Sequence, residues 1–164
     1  MDDSTLSTLA QELGEVLIAK GWSCATAESC TGGWVAKALT DIAGSSQWFS
    51  GGLVTYTNES KQRLLDVPEA VLMTAGAVSL ETVAAMAQGA LPAMQCDLAI
   101  AISGIAGPGG ATVGKPVGTV CFGLADKTLT RAWVEHFDGD REAVRRASVA
   151  YALQKMLERL SEPG

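Results

Sequence analysis

The sequence predicts an α/β fold: a three-layer α/β/α sandwich built on a mixed, mostly parallel sheet. Three observations carry that prediction. Helical and strand-like segments follow one another in the order α, β, α, β, α, α, β, β, β, α, with helices both before and after the strands. The run Asp97 to Ser103 is almost continuously small and apolar, as in a central strand covered on both faces. The last two strands flank only Ala125-Asp126-Lys127-Thr128, which makes them a hairpin and the sheet mixed.

Each element has its own signal. Leu6, Leu9, Leu13, Val16 and Leu17 step by three and four and draw one helical face over residues 5–20, closed by Lys20-Gly21. A strand over Ser23 to Ala27 leads into Glu28-Ser29-Cys30-Thr31-Gly32-Gly33, and a helix runs from Trp34 to about Ile42. Trp48 to Thr57 reads as a strand of mixed burial with Gly51-Gly52 as a bend. Thr57 or Asn58 caps a short helix carrying Lys61 in its first turn. Pro68 and Gly76 bracket a small helix near 69–74, and Ser79 opens a longer one reaching Met94. After the central strand comes the glycine-rich loop Gly104 to Gly110. Strands at 117–124 and 129–137 follow, and Asp138-Gly139-Asp140 begins a final helix striped by Ala143, Ala147, Ala150, Leu153, Leu157 and Leu160.

At 164 residues the chain is expected to form one domain over residues 1–164. A net charge of −6, from 12 basic and 18 acidic residues, argues against a broad nucleic-acid face. No apolar run approaches the roughly 18 residues that span a bilayer. The acidic start Met1-Asp2-Asp3 is unlike a signal peptide, so a cytoplasmic location is expected. Cys24, Cys30, Cys96 and Cys121 lack C-x-x-C spacing and His136 is the one histidine, which disfavours a structural zinc site and most triads.

The strand-to-helix turn at Ser29 admits three readings: a plain helix cap, a phosphate cradle, or a nucleophile with an oxyanion pocket of backbone amides near Cys30, Thr31 and Gly32. A nucleophilic Ser29 needs a base. His136 lies mid-strand near an edge. Lys61 lies at a helix start after a strand, where burial would lower its pKa, and Tyr56 sits five residues upstream. Cys30 competes with Ser29, since a thiol at a helix start attacks readily. The loop after the central strand, with Ser103 and Gly104, lies where open α/β sheets bind ligands. Arg141 and Arg145, spaced i, i+4, can grip a phosphate or offset nearby acids.

Six segments then fall into a pattern: Ala-Glu-Ser-Cys-Thr-Gly-Gly at 27–33, Val-Thr-Tyr-Thr-Asn-Glu-Ser-Lys at 54–61, Gly-Ala-Val-Ser at 76–79, Ser-Gly-Ile-Ala-Gly-Pro-Gly-Gly at 103–110, Lys-Pro-Val-Gly-Thr-Val at 115–120 and Gly-Asp-Arg-Glu-Ala-Val-Arg at 139–145. In this order they resemble the CinA C-terminal domain family, and within it the stand-alone nicotinamide-nucleotide amidohydrolases. The resemblance implies hydrolysis of the carboxamide of nicotinamide mononucleotide (NMN), giving nicotinate mononucleotide and ammonia in pyridine-nucleotide salvage. It places a serine nucleophile on Ser29, a lysine base on Lys61 and a supporting tyrosine on Tyr56, and implies a homodimer that needs no metal or other cofactor. With a single phosphate on the substrate, Arg141 and Arg145 are expected to hold it. Trp48-Phe49 reads as an exposed pair suited to the dimer surface.

Overall fold

The computed structural model describes residues 2–163. Its elements are α1 (Asp3–Lys20), β1 (Cys24–Glu28), α2 (Trp34–Thr40), β2 (Phe49–Val54), α3 (Asn58–Leu65), α4 (Glu69–Ala75), α5 (Leu80–Met94), β3 (Leu98–Gly104), β4 (Thr119–Asp126), β5 (Thr130–His136) and α6 (Arg141–Ser161), with one 3-10 turn at Ser45–Gln47. The strands form one sheet in the order β2-β1-β3-β4-β5. β1 pairs in parallel with both β2 and β3, whereas β3·β4 and β4·β5 are antiparallel. Four of the five strands therefore point the same way, and β4 alone runs against them.

The two faces of the sheet differ because side chains alternate along a strand. Leu98, Ile100, Ile102, Val120, Phe122 and Leu124 pack with α1, α2 and α6. The opposite face is built from Ala25, Ala27, Ala99, Ala101, Cys121 and Ala125, packed with α3, α4 and α5. Small residues there let α5 come down onto the strands. At Gly123 a Cβ would stand 2.2 Å from the Val83 carbonyl oxygen of α5.

The capping chemistry behaves as expected. Asp2, Thr57, Ser79 and Asp140 each accept a backbone N–H of the helix they begin. Two expectations change. The second strand stops at Val54 rather than Thr57, because Thr57 is spent on capping α3 while the carbonyls of Thr55 and Tyr56 turn toward Lys61. Trp48 is not exposed at all: it is 2% accessible and seated against Gly14 of α1, where a Cβ would approach its ring to 2.6 Å. It belongs to the core and leaves the expected dimer surface without its main residue.

Topology fixes where a site can form. The chain leaves β1 for β2 on one side and returns to β3 on the other, with α2 on one face and α5 on the opposite face. A crevice therefore opens beyond the carboxyl ends of β1 and β3, the usual ligand position in open α/β sheets.

Candidate active site

Ser29 is the first residue beyond β1. Its N–H donates to the Ile102 carbonyl of β3 at 2.9 Å, which ties the turn to the mouth of the crevice. The Gly32 N–H closes the turn on the Ser29 carbonyl at 3.1 Å. Gly32 and Gly33 then adopt φ of 61° and 102°, a conformation that favours residues without a Cβ. Among the described residues no group of another residue accepts the N–H of Cys30 or Thr31, whereas Gly32's is committed inside the turn. Of the three amides expected to face an oxyanion, Cys30's is the one both unengaged by another residue and near solvent, since Thr31 is 0% accessible.

Glu28 was not singled out from sequence, and it organises this turn. Its carboxylate is 1% accessible. One oxygen accepts the Thr31 hydroxyl at 2.8 Å and the N–H groups of Gly33 and Val35 at 3.2 and 2.9 Å, and the other accepts Ala36 N–H at 3.0 Å. The positive end of α2 is therefore occupied by the protein's own carboxylate, which removes the phosphate-cradle reading of this helix start. The same rule that suggested an anion there would have pointed to Glu28, five residues before Gly33.

Lys61 comes from the first turn of α3 and reaches back under β2. Although 1% accessible, its Nζ lies 3.0 Å from Ser29 Oγ, 2.8 Å from the Thr55 carbonyl oxygen and 3.1 Å from that of Tyr56. None of these partners is a carboxylate, and the loss of water outweighs the opposing pull of the neighbouring Cys30. Burial pushes the Lys61 pKa down to about 8. The three acceptors match the three N–H donors of the ammonium; once Lys61 gives up a proton, two N–H groups can stay on the carbonyls while the lone pair turns to the Ser29 hydroxyl. Tyr56 holds Lys61 through its backbone. Its hydroxyl instead lies 3.4 Å from Arg141 Nη2.

Ser29, Cys30, Tyr56, Lys61, Ser103, Gly104 and Arg141 line one cleft of about 270 Å³, walled by Ala77-Val78 before α5 and by the 105–110 loop. Arg141 donates to the Gly107 carbonyl at 2.8 Å and has no carboxylate partner among the described residues, which leaves its charge facing the cleft. Cys30 shares the cleft, but burial pushes its thiol up to about 12, the opposite of an activated nucleophile. His136 is elsewhere, with Nε2 2.9 Å from the Val117 carbonyl oxygen. Thr31, Gly32 and Arg145 do not line the cleft; they border an outer groove with Trp34 and Lys37. Arg145 donates to the carbonyls of Cys30 and Thr31, a placement that does not suit the phosphate contact expected of it. Among the described residues no group of three or more His, Cys, Asp or Glu side chains is arranged to hold a metal ion.

Residues 6–160 match the CinA C-terminal domain family. The chain is 54% identical over 157 residues to nicotinamide-nucleotide amidohydrolase PncC of Shigella flexneri, covering 95% of each protein. It is 48% identical over 153 residues to the protein of that name from Pseudomonas putida, covering 93% of this chain and 96% of the relative. The competence damage-inducible protein A from Klebsiella pneumoniae superposes with a TM-score of 0.94 at 39% identity, over 97% of this chain and 99% of that one. The CihA protein from Agrobacterium tumefaciens gives 0.91 at 41% identity, over 96% of each.

Proposed function

We propose that this chain, which belongs to the CinA C-terminal domain family, is a nicotinamide-nucleotide amidohydrolase that uses Ser29 as nucleophile and Lys61 as its base. The observation that carries the mechanism is the buried Lys61 Nζ, 3.0 Å from Ser29 Oγ with two carbonyls accepting hydrogen bonds from its N–H groups. Neutral Lys61 takes the hydroxyl proton as Ser29 Oγ bonds to the amide carbon of NMN. The amide oxygen becomes an oxyanion received by the N–H of Cys30, which borders the cleft, where such a donor lowers the barrier by about 3–4 kcal/mol. The C–N bond then breaks, and the Lys61 ammonium returns its proton to the departing nitrogen, which leaves as ammonia. Water, deprotonated by Lys61, attacks the ester; nicotinate mononucleotide leaves and Ser29 regains its proton.

Arg141 is the cationic group that faces the cleft without a carboxylate partner, and it takes the substrate's phosphate, with Tyr56 steadying it. Ser103 and Gly104 border the same cleft and contact the pyridine amide or ribose. Among the described residues no helix is long and apolar enough to cross a membrane. The family pattern supports a cytoplasmic homodimer, and the net charge of −6 speaks against a nucleic-acid partner. Purified protein should release ammonia saturably from NMN, and far more slowly from NAD and free nicotinamide. Saturable NMN binding with no ammonia over hours would refute the enzymatic reading.

A further inference from the structure

Two serines stand side by side at the carboxyl ends of neighbouring strands. The Ser29 N–H donates to the Ile102 carbonyl at 2.9 Å, which carries the parallel β1–β3 register one step beyond Glu28↔Ile102. Ser29 is thereby set beside Ser103, at the strand spacing of about 4.8 Å. Both side chains fall on one face of the sheet, two residues beyond Ala27 and Ala101 of the cluster under α5. Ser103 is 1% accessible and lines the cleft, yet among the described residues no hydrogen bond engages its hydroxyl. Buried hydroxyls elsewhere do donate: Thr31 to Glu28, Thr82 to the Gly76 carbonyl and Ser148 to that of Val144. A buried hydroxyl without a partner costs the fold stability, and this one is held beside the nucleophile.

We propose that Ser103 is a further catalytic residue, whose hydroxyl donates to the oxyanion formed on the substrate's carboxamide. This rests on the serine-hydrolase reading above. The direction follows from the order of the sheet, in which β2 and β3 flank β1 on opposite sides. Lys61 meets Ser29 from the β2 side, since its other partners are the carbonyls of Thr55 and Tyr56, just beyond β2. Ser103 meets it from β3. Lys61 returns its proton to the departing nitrogen, so that nitrogen faces the β2 side. The carbon bonded to Ser29 is tetrahedral, and its oxygen points to the opposite flank. There the Ser103 hydroxyl receives it, in addition to the Cys30 N–H. The Ser103 proton stays on its own oxygen throughout, and the bond weakens again when the carbonyl re-forms. An amide oxygen gains charge only as the adduct forms, so the interaction serves the transition state more than substrate binding.

Ser103→Ala should lower kcat for ammonia release about 10²–10³-fold, the cost of deleting one oxyanion donor. KM for NMN should stay within about threefold, and the midpoint of the pH profile, set by Lys61, should not move. The urea midpoint should match or exceed that of the wild type, because the fold loses no hydrogen bond with this hydroxyl. Ser103→Thr keeps the hydroxyl and should recover part of the rate. A second readout needs no NMN. A fluorophosphonate that labels Ser29 places its phosphonyl oxygen where the oxyanion would lie, so labelling should slow at least about fivefold in Ser103→Ala. A KM rise with kcat unchanged would instead make Ser103 a ground-state substrate contact, and wild-type kcat and labelling in Ser103→Ala would remove it from the reaction; either overturns the proposal. Wild-type protein that labels at Ser29 but ignores NMN would refute the substrate reading alone, with the labelling ratio then deciding on Ser103. Wild-type protein that neither labels nor releases ammonia would refute both.

Discussion

Beyond the base role proposed for it, Lys61 carries a stability signature. Its pKa in the fold is about 8, against an ordinary value of 10.5. Below pH 8 it is protonated both folded and unfolded, and the fold bears the whole penalty of a charge without a carboxylate. Between pH 8 and 10.5 the unfolded chain holds one more proton than the native one, so stability rises with pH across that window. Integrated from pH 7 to pH 10, the gain is about 2–3 kcal/mol. Lys61→Met deletes the titration and, with it, the gain. Urea unfolding of both proteins at pH 7 and pH 10 isolates this difference, because every other titrating group is shared. The wild type should gain about 2–3 kcal/mol on the variant between the two pH values. A difference that stays flat would mean that Lys61 keeps an ordinary pKa, and the neutral-amine mechanism would fall with it.

Activity should follow the same proton. kcat/KM should rise about tenfold per pH unit up to about pH 8 and level off above it, with Lys61→Arg inert because a guanidinium does not deprotonate. Tyr56→Phe should raise KM more than it lowers kcat, since the hydroxyl reaches Arg141 while the carbonyl holds Lys61; steady-state kinetics separates the two. Gly123→Ala, usually mildly favourable in a strand, should cost about 1–3 kcal/mol in chemical denaturation, because its Cβ would collide with the Val83 carbonyl of α5.

Periodicity and punctuation made the elements legible: the stripe of α1, the caps at Thr57 and Ser79 and the hairpin at 125–128 all stand where the residues placed them. That Ser29, Lys61 and Tyr56 share one cleft was legible because each sits at the carboxyl end of a strand or the start of a helix, where the fold gathers side chains. What sequence left open depends on direction. Spacing put Arg141 and Arg145 on one face of a helix, yet one turn of α6 separates a side chain lining the cleft from one gripping the back of the turn. The sequence points to the Tyr56 hydroxyl, whereas the contact with Lys61 is made by the Tyr56 carbonyl, an atom no side-chain pattern advertises. Trp48 looked exposed because its neighbours are polar; only the contact with Gly14, far away in sequence, buries it. Glu28 escaped notice because a carboxylate satisfied by backbone amides has no charged partner to betray it.

The central claim concerns which of two adjacent side chains attacks. Ammonia release from NMN by Ser29→Ala and by Cys30→Ala, each confirmed as folded by circular dichroism, tests it most directly. Ser29→Ala should release none above background, while Cys30→Ala should retain most of the wild-type rate, because its buried thiol is held protonated up to about pH 12. Ammonia from Ser29→Ala together with an inert Cys30→Ala would contradict the assignment and make the thiol the nucleophile.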